Sequence, residues 1–219
     1  MRIPEFKEKF KQKYAELLGD ELEEFLQTSL KPLPRTIRVN TNKTTRKELV
    51  ERLKNKGWKV KRLKYYENGL IVEEKDCALG NTIEHFLGYY YVQEGASMLP
   101  PLILNPSEKD LVLDACASPG SKATQLSMMM NNKGLIIAND VNIGRVKILC
   151  TNAQRMGCQN VAITKSSATT IHTHNHKYDK ILVDAPCTAT GAIRKNYGII
   201  KQWNENMSLK LCSLQKKIL

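Results

Sequence analysis

A chain of 219 residues with 42% apolar content is long enough to bury a sizeable core, and six cysteines without short paired spacing exclude a zinc ribbon or a disulfide framework. No stretch approaches the roughly 18 consecutive apolar residues of a membrane span, and the first residues alternate charge and apolar side chains without a leader's h-region, so a cytoplasmic protein is expected. The net charge of +12 is concentrated in residues 31–64, which hold 13 Lys or Arg against 2 Glu.

Residues 1–30 carry two amphipathic helical patterns (Phe6, Phe10, Tyr14, Leu17, Leu18, then Leu22, Phe25, Leu26), closed by the Pro32 and Pro34 breaker. Residues 36–41 predict a strand. Thr45 and Glu48 form a capping box that opens a helix through Leu49, Val50 and Leu53 to Gly57, and strands follow at 58–63 and 69–72. The basic residues here interleave with Trp58, Tyr65 and Tyr66, which suits phosphate neutralisation beside stacking partners and points to RNA or another polyanion.

From residue 111 the texture changes to short apolar runs at 111–116, 134–139, 160–164 and 178–183, separated by helical patterns. The helix between the second and third carries Val146, Leu149, Ala153 and Met156 on one side and stops at Gly157. The expected architecture is doubly wound α/β with a parallel sheet, divided into an α+β region at 1–90 and a second domain at 91–219.

In such folds ligands meet the carboxyl ends of the strands. The first strand ends in Asp114-Ala-Cys-Ala-Ser-Pro-Gly-Ser-Lys122, where Gly120 lets a ligand approach the backbone and the next helix supplies free N–H donors; it is neither a P-loop nor a GxGxxG fingerprint. Asp140 ends the second strand 20 residues after Gly120, a spacing that suits an acid accepting both ribose hydroxyls. Together these favour a nucleoside-containing cofactor without a phosphate chain. The fourth strand ends in DAPC, where Pro186 stops the ladder and turns Cys187 toward the sheet's mouth. A free cysteine is commonly a buried, inert residue, yet a thiolate beside an acid suits methylation of cytosine C5, which requires thiolate addition at C6. His172, His174 and His176 alternate without Cys or acid partners and read as solvated, so no metal is expected.

The ordered set IRVNT (37–41), QEGAS (93–97), DACASPGSK (114–122), ANDVNIGR (138–145), NAQRMG (152–157) and DAPCTATGAIRKN (184–196) resembles the RNA 5-methylcytosine methyltransferases of the Sun or nucleolar-protein type, with an archaeal cast. The resemblance implies a Rossmann-like class I methyltransferase using S-adenosyl-L-methionine, preceded by a small RNA-binding region. It implies that Cys116, Ala117, Ser118, Pro119, Gly120, Ser121 and Lys122 cradle the cofactor's methionine part. Asp140 would hold its ribose, with Arg145 close by. Asp184 would stand between cofactor and base, with Lys122 shared between their pockets. The RNA partner is expected to be tRNA in preference to rRNA, because the N-terminal extension is short and basic; the oligomeric state is left open.

The chain departs from the family pattern at Ser118, Ser121 and Ala123 of the loop, at 165–168 where an adenine-binding Asp is usual, and at Tyr197 where Pro is usual. The family resemblance further implies two cysteines, a nucleophile in a Thr-Cys-Ser motif after a fifth strand and an assisting cysteine at the position of Cys187. No such motif occurs before Leu219, and Cys212 lies in an amphipathic helical pattern. The sequence therefore reads as ending before the nucleophile, with the fourth strand left at a sheet edge and little methyl transfer expected from the chain alone. An inactive RNA-binding homologue is the alternative, and Cys187 as the nucleophile itself is a third reading.

Overall fold

The computed structural model describes residues 5–73, 78–174 and 177–219, apart from the side chains of 172–174; the three histidines therefore lie outside what is described. The chain forms two compact units, Pro34–Asp184 and Met1–Leu33 together with Ala185–Leu219. Tyr90 sits within a strand hydrogen-bonded to the first strand of the same unit. The N-terminal helices bury their apolar faces against residues near the C-terminus, as described below.

The larger unit opens with strand β1 (Thr36–Val39), helix α1 (Arg46–Asn55), and strands β2 (Lys59–Leu63) and β3 (Tyr66–Glu73). The capping box is formed, with the Glu48 amide donating to Thr45 Oγ1 and the Thr45 amide donating to the Glu48 carboxylate, so α1 starts where the sequence predicts. A short helix α2 (Ile83–Phe86) leads into β4 (Tyr90–Val92). These strands make an antiparallel sheet in the order β2-β3-β1-β4, whose core contains Ile37, Val39, Leu49, Leu53, Trp58 and Leu70. Trp58 and Tyr66 are buried, so of the three aromatics interleaved with the basic residues Tyr65 is the one left half exposed.

Helix α3 (Leu99–Leu104) then precedes β5 (Leu111–Asp114), α4 (Ser121–Met129), β6 (Leu135–Asn139), α5 (Ile143–Met156), β7 (Val161–Thr164) and β8 (Lys180–Leu182). The last four strands form a parallel sheet in the order β7-β6-β5-β8. Val146, Leu149, Ala153 and Met156 are the buried residues of α5, as their spacing predicts, and Gly157 closes it in the left-handed region at φ 74°. Met128 and Met130 pack in the interior. β8 stands at the sheet edge, paired with β5 among the described residues, and Ile181 is half exposed. The sequence reading missed α2, β4 and α3. β4 is only three residues long, and α3 carries prolines in its first turn, where a missing N–H costs nothing but the residues look like breakers.

In the smaller unit, α6 (Glu8–Leu18) and α7 (Leu22–Leu30) meet α8 (Gly198–Gln202) and its neighbours. Phe10 packs edge-on to Trp203 with ring centroids 5.0 Å apart, and Ile193 and Ile200 complete the cluster. A final helix α9 (Glu205–Ile218) is capped by Asn204 and includes Cys212. Among the described residues no helix is long and apolar enough to cross a membrane.

Candidate functional site

Strands β6 and β7 follow β5 on one side of the sheet while β8 lies on the other, so the chain changes direction between β5 and β8. A crevice at the carboxyl ends of such strands is where open α/β sheets bind ligands. Asp114 ends β5 and Asp184 follows β8, and Lys122 of α4 joins this point through an ion pair from its Nζ to the Asp184 carboxylate.

The connection from β5 to α4 is tightly held. The Ala117 amide donates to the Asn139 carbonyl at 2.7 Å, and the Gly120 amide to the Ala117 carbonyl at 2.7 Å. The Pro119 carbonyl accepts from Asn152 Nδ2 at 2.8 Å. Gly120 has φ 104°, and a Cβ there would stand 3.0 Å from Leu149 Cδ1, so the turn requires glycine. It is also the N-cap of α4 and provides no side-chain cap, so no capping side chain satisfies the first-turn amides of the helix.

Asp140 lies at the end of β6, almost fully buried. Its Oδ2 is 3.2 Å from Arg145 Nε, and its Oδ1 accepts from the Asn142 amide at 3.0 Å. Arg145 Nη2 also donates to the Ser118 carbonyl at 2.8 Å, while Ser118 Oγ donates to the Arg145 carbonyl at 2.8 Å. The structure thus brings Ser118, Asp140 and Arg145 together, and Lys122 with Asp184.

Cys116 is half-buried, and burial reinforced by the charges of Asp114, Asp140 and Asp184 pushes its thiol up to about 11. A thiol shifted in this direction is held in its neutral form at physiological pH. Cys187 belongs to the smaller unit, where it is exposed and its Sγ accepts from the Ala189 amide at 3.3 Å. The preceding Pro186 carbonyl accepts from Gln215 Nε2 of α9 at 2.8 Å.

Two residues of this region were not singled out from sequence. Asp114 is fully buried, neither carboxylate oxygen has a well-formed hydrogen bond among the described residues, and burial pushes its pKa up to about 7 against the pull of Lys122 and a weak contact from the Cys116 amide. Asn139 is a buried hub: its Nδ2 donates to the Ala115 and Ser166 carbonyls at 3.1 and 3.0 Å, and its Oδ1 accepts from Thr164 Oγ1 and the Ser166 amide. It ties together the turns that follow β5, β6 and β7. A polar residue next to the strand-end acid was the available sequence signal.

The parallel sheet, its strand order and the glycine turn at the end of β5 define a Rossmann-like fold of the methyltransferase type. The chain belongs to the 16S rRNA methyltransferase RsmB/F family, whose pattern it matches over residues 101–219, and residues 6–95 match the N-terminal domain of 16S rRNA methyltransferase RsmF. This is the family that the ordered motifs pointed to. The chain is 40% identical over 205 residues to ribosomal RNA small subunit methyltransferase F of Shewanella loihica, and 36% identical over 203 residues to that of Vibrio campbellii. These alignments cover 90% of the chain and 42% of each relative, so the chain spans less than half of their length. A methyltransferase homologue from Pyrococcus horikoshii shares 34% identity at a TM-score of 0.85, covering 97% of this chain and 67% of that one. The fold is also that of NSun6 from Pyrococcus horikoshii, with a TM-score of 0.90 at 22% identity, covering 97% of this chain and 78% of the other.

Proposed function

We propose that the larger unit binds S-adenosyl-L-methionine at the carboxyl ends of β5 and β6, and that the protein serves methyl transfer to C5 of cytosine in RNA. The observation that carries this reading is the uncapped first turn of α4, which suits an anion, beside an acid on the neighbouring strand held by Arg145. A zwitterionic amino acid joined to a ribose matches that pair of sites, and the turn from Cys116 to Lys122 has the backbone approach it needs. The cofactor supplies an electrophilic methyl group.

The amides of Ser121 and Lys122 take the carboxylate of the cofactor's amino-acid part, and Asp140 accepts the ribose hydroxyls. Val141 and Ile143, 65% and 56% exposed, offer apolar surface beside Asp140 for the adenine. Ser166, fixed by Asn139, supplies polar contact where a carboxylate is usual, with weaker hydrogen bonding than a charged group gives. Asp184 accepts the exocyclic amine of cytosine and Lys122 holds that carboxylate in place. Cys187 is the assisting cysteine that the family resemblance implies.

RNA is the partner in this reading, approached through the basic first sheet, and the protein acts in the cytoplasm where its substrate is. The relatives' names point to small-subunit rRNA; the expectation of tRNA rested on a short basic extension, which suits either RNA equally. Calorimetric titration of S-adenosylmethionine into the wild type and Asp140→Ala tests the cofactor reading: no binding by the wild type overturns it, and equal affinities remove Asp140 from the site. Fluorescence anisotropy with labelled small-subunit rRNA fragments and tRNA, compared side by side, tests the RNA partner: a preference for rRNA supports this reading and a preference for tRNA overturns it.

A further inference from the structure

Arg38 of β1 is completely buried, and among the described residues no Asp or Glu pairs with it. Its guanidinium is satisfied by neutral groups. Nε donates to Gln93 Oε1 at 2.8 Å, Nη2 to Thr124 Oγ1 at 2.8 Å and the Ser121 carbonyl at 3.4 Å, and Nη1 to the Thr124 carbonyl at 3.4 Å and Met128 sulfur at 3.7 Å. The Tyr91 ring covers it with the centroid 5.6 Å from Cζ. Burial lowers its pKa to about 10, so it stays cationic at neutral pH.

A buried cation without a counter-ion costs folding free energy that an apolar residue of similar size would not. Here the charge sits against the first turn of α4, the turn whose amides take the cofactor's carboxylate in the proposed site. The N-terminus of a helix already bears partial positive charge, so the cation adds to that potential at the point where a helix alone would least favour it. In a dry, low-dielectric setting such a field reaches further than it would in water. Thr124 also links the charge to the turn itself, since its Oγ1 accepts from Arg38 and donates to the Gly120 carbonyl at 2.7 Å. Gln93 is aimed by its own amide, which donates to the Ser97 carbonyl at 3.1 Å and to Gln125 Oε1 at 2.9 Å.

We infer that Arg38 is a positioning residue of the first sheet that raises affinity for the carboxylate of the bound cofactor, by adding an uncompensated charge behind the N-terminus of α4. This rests on the proposed cofactor site. A merely structural anchor between the sheets would weaken all nucleosides alike; a charge acting on a carboxylate discriminates among them.

The test compares binding of S-adenosylhomocysteine with that of 5′-(3-aminopropylthio)-5′-deoxyadenosine, which has the same nucleoside, thioether and amine but no carboxylate. In Arg38→Met and Arg38→Gln the preference for the carboxylate-bearing ligand is expected to fall about tenfold, while the decarboxylated ligand binds as before. Arg38→Lys, which keeps the charge, is expected to restore most of the preference. Gln93→Glu leaves Arg38 in place but gives it a carboxylate neighbour, and should reproduce the loss; it decides the matter if the Arg38 variants fail to fold by circular dichroism. An unchanged preference in the folded neutral variants and in Gln93→Glu overturns the inference. Failure of the wild type to bind either ligand overturns the cofactor reading instead.

Discussion

The Arg145 guanidinium bridges Asp140 and the turn after β5, standing 3.2 Å from the Asp140 carboxylate and 2.8 Å from the Ser118 carbonyl. One side chain therefore sets the spacing between the two halves of the proposed cofactor site. Arg145 is about half exposed, so its ion pair adds little to stability in water, and its contribution is to geometry. Asp140→Ala removes a charged acceptor for two hydroxyls and is expected to weaken S-adenosylhomocysteine binding about 10- to 100-fold. Arg145→Ala should weaken it about three- to tenfold with little change in melting temperature. Calorimetry with parallel thermal melts checks both, and a larger effect for Arg145 than for Asp140 would reverse the assignment.

Asp114 presents a different balance. Its native pKa, raised to about 7 by burial, lies above the value of an unfolded Asp near 4, so the native state holds this proton more tightly. The stability associated with it is present below about pH 4 and is lost as pH rises through about 7. Asp114→Asn removes the titration while keeping the shape, and is expected to gain up to about 4 kcal/mol at pH 8, three pKa units at about 1.4 kcal/mol each, with little gain at pH 4. Denaturant unfolding across this range measures the slope. A variant less stable than wild type at pH 8 would show that the charge is satisfied in solution.

Much of this arrangement is legible in the sequence because short-range rules decide it. The capping box at Thr45, the apolar stripe of α5 and the glycine turns each depend on neighbours a few residues away. Asp140 is a candidate because strand ends carry ligands in this fold, and Lys122 is one only through the motif resemblance. Arg38 was not, because nothing local distinguishes a buried arginine from the basic residues on either side of it; its burial comes from Gln93 and Thr124, which are distant in sequence. Asp114 stands out in no local pattern, since its burial away from partners is a property of the packed interior alone. The grouping of both chain ends in one unit escaped for the same reason: the aromatic pairing of Phe10 with Trp203 has no local signature.

Asn139 provides a test of how the three turns are held together. Asn139→Asp would place oxygens where its amide now donates to the Ala115 and Ser166 carbonyls, and would add an acid near Asp114, Asp140 and Asp184. Leaving two buried carbonyls facing a carboxylate costs about 2–5 kcal/mol. The variant is expected to melt well below the wild type and to bind S-adenosylhomocysteine weakly even at temperatures where it is folded. Wild-type affinity in the folded variant would mean that the turns hold their positions without this hub.

The basic strand β2 has two physical explanations, and salt separates them. Lys59, Lys61 and Arg62 lie exposed on an edge strand, where charged side chains also serve to prevent pairing with another chain. If the strand and the following Lys64 neutralise phosphates, then Lys61→Ala with Lys64→Ala should weaken RNA binding and flatten the plot of log affinity against log salt. The slope should fall by about 0.7 for each single-stranded phosphate that the variant no longer neutralises. Tyr65, 50% exposed beside Lys64, is the aromatic left free for stacking once Trp58 and Tyr66 are buried. Tyr65→Ala should therefore reduce affinity about fivefold or more while leaving the salt slope unchanged, since stacking releases no counter-ions. Fluorescence anisotropy with labelled RNA at several salt concentrations measures both. An unaltered slope in the double lysine variant would assign β2 to edge protection and move the RNA-binding surface elsewhere on the protein.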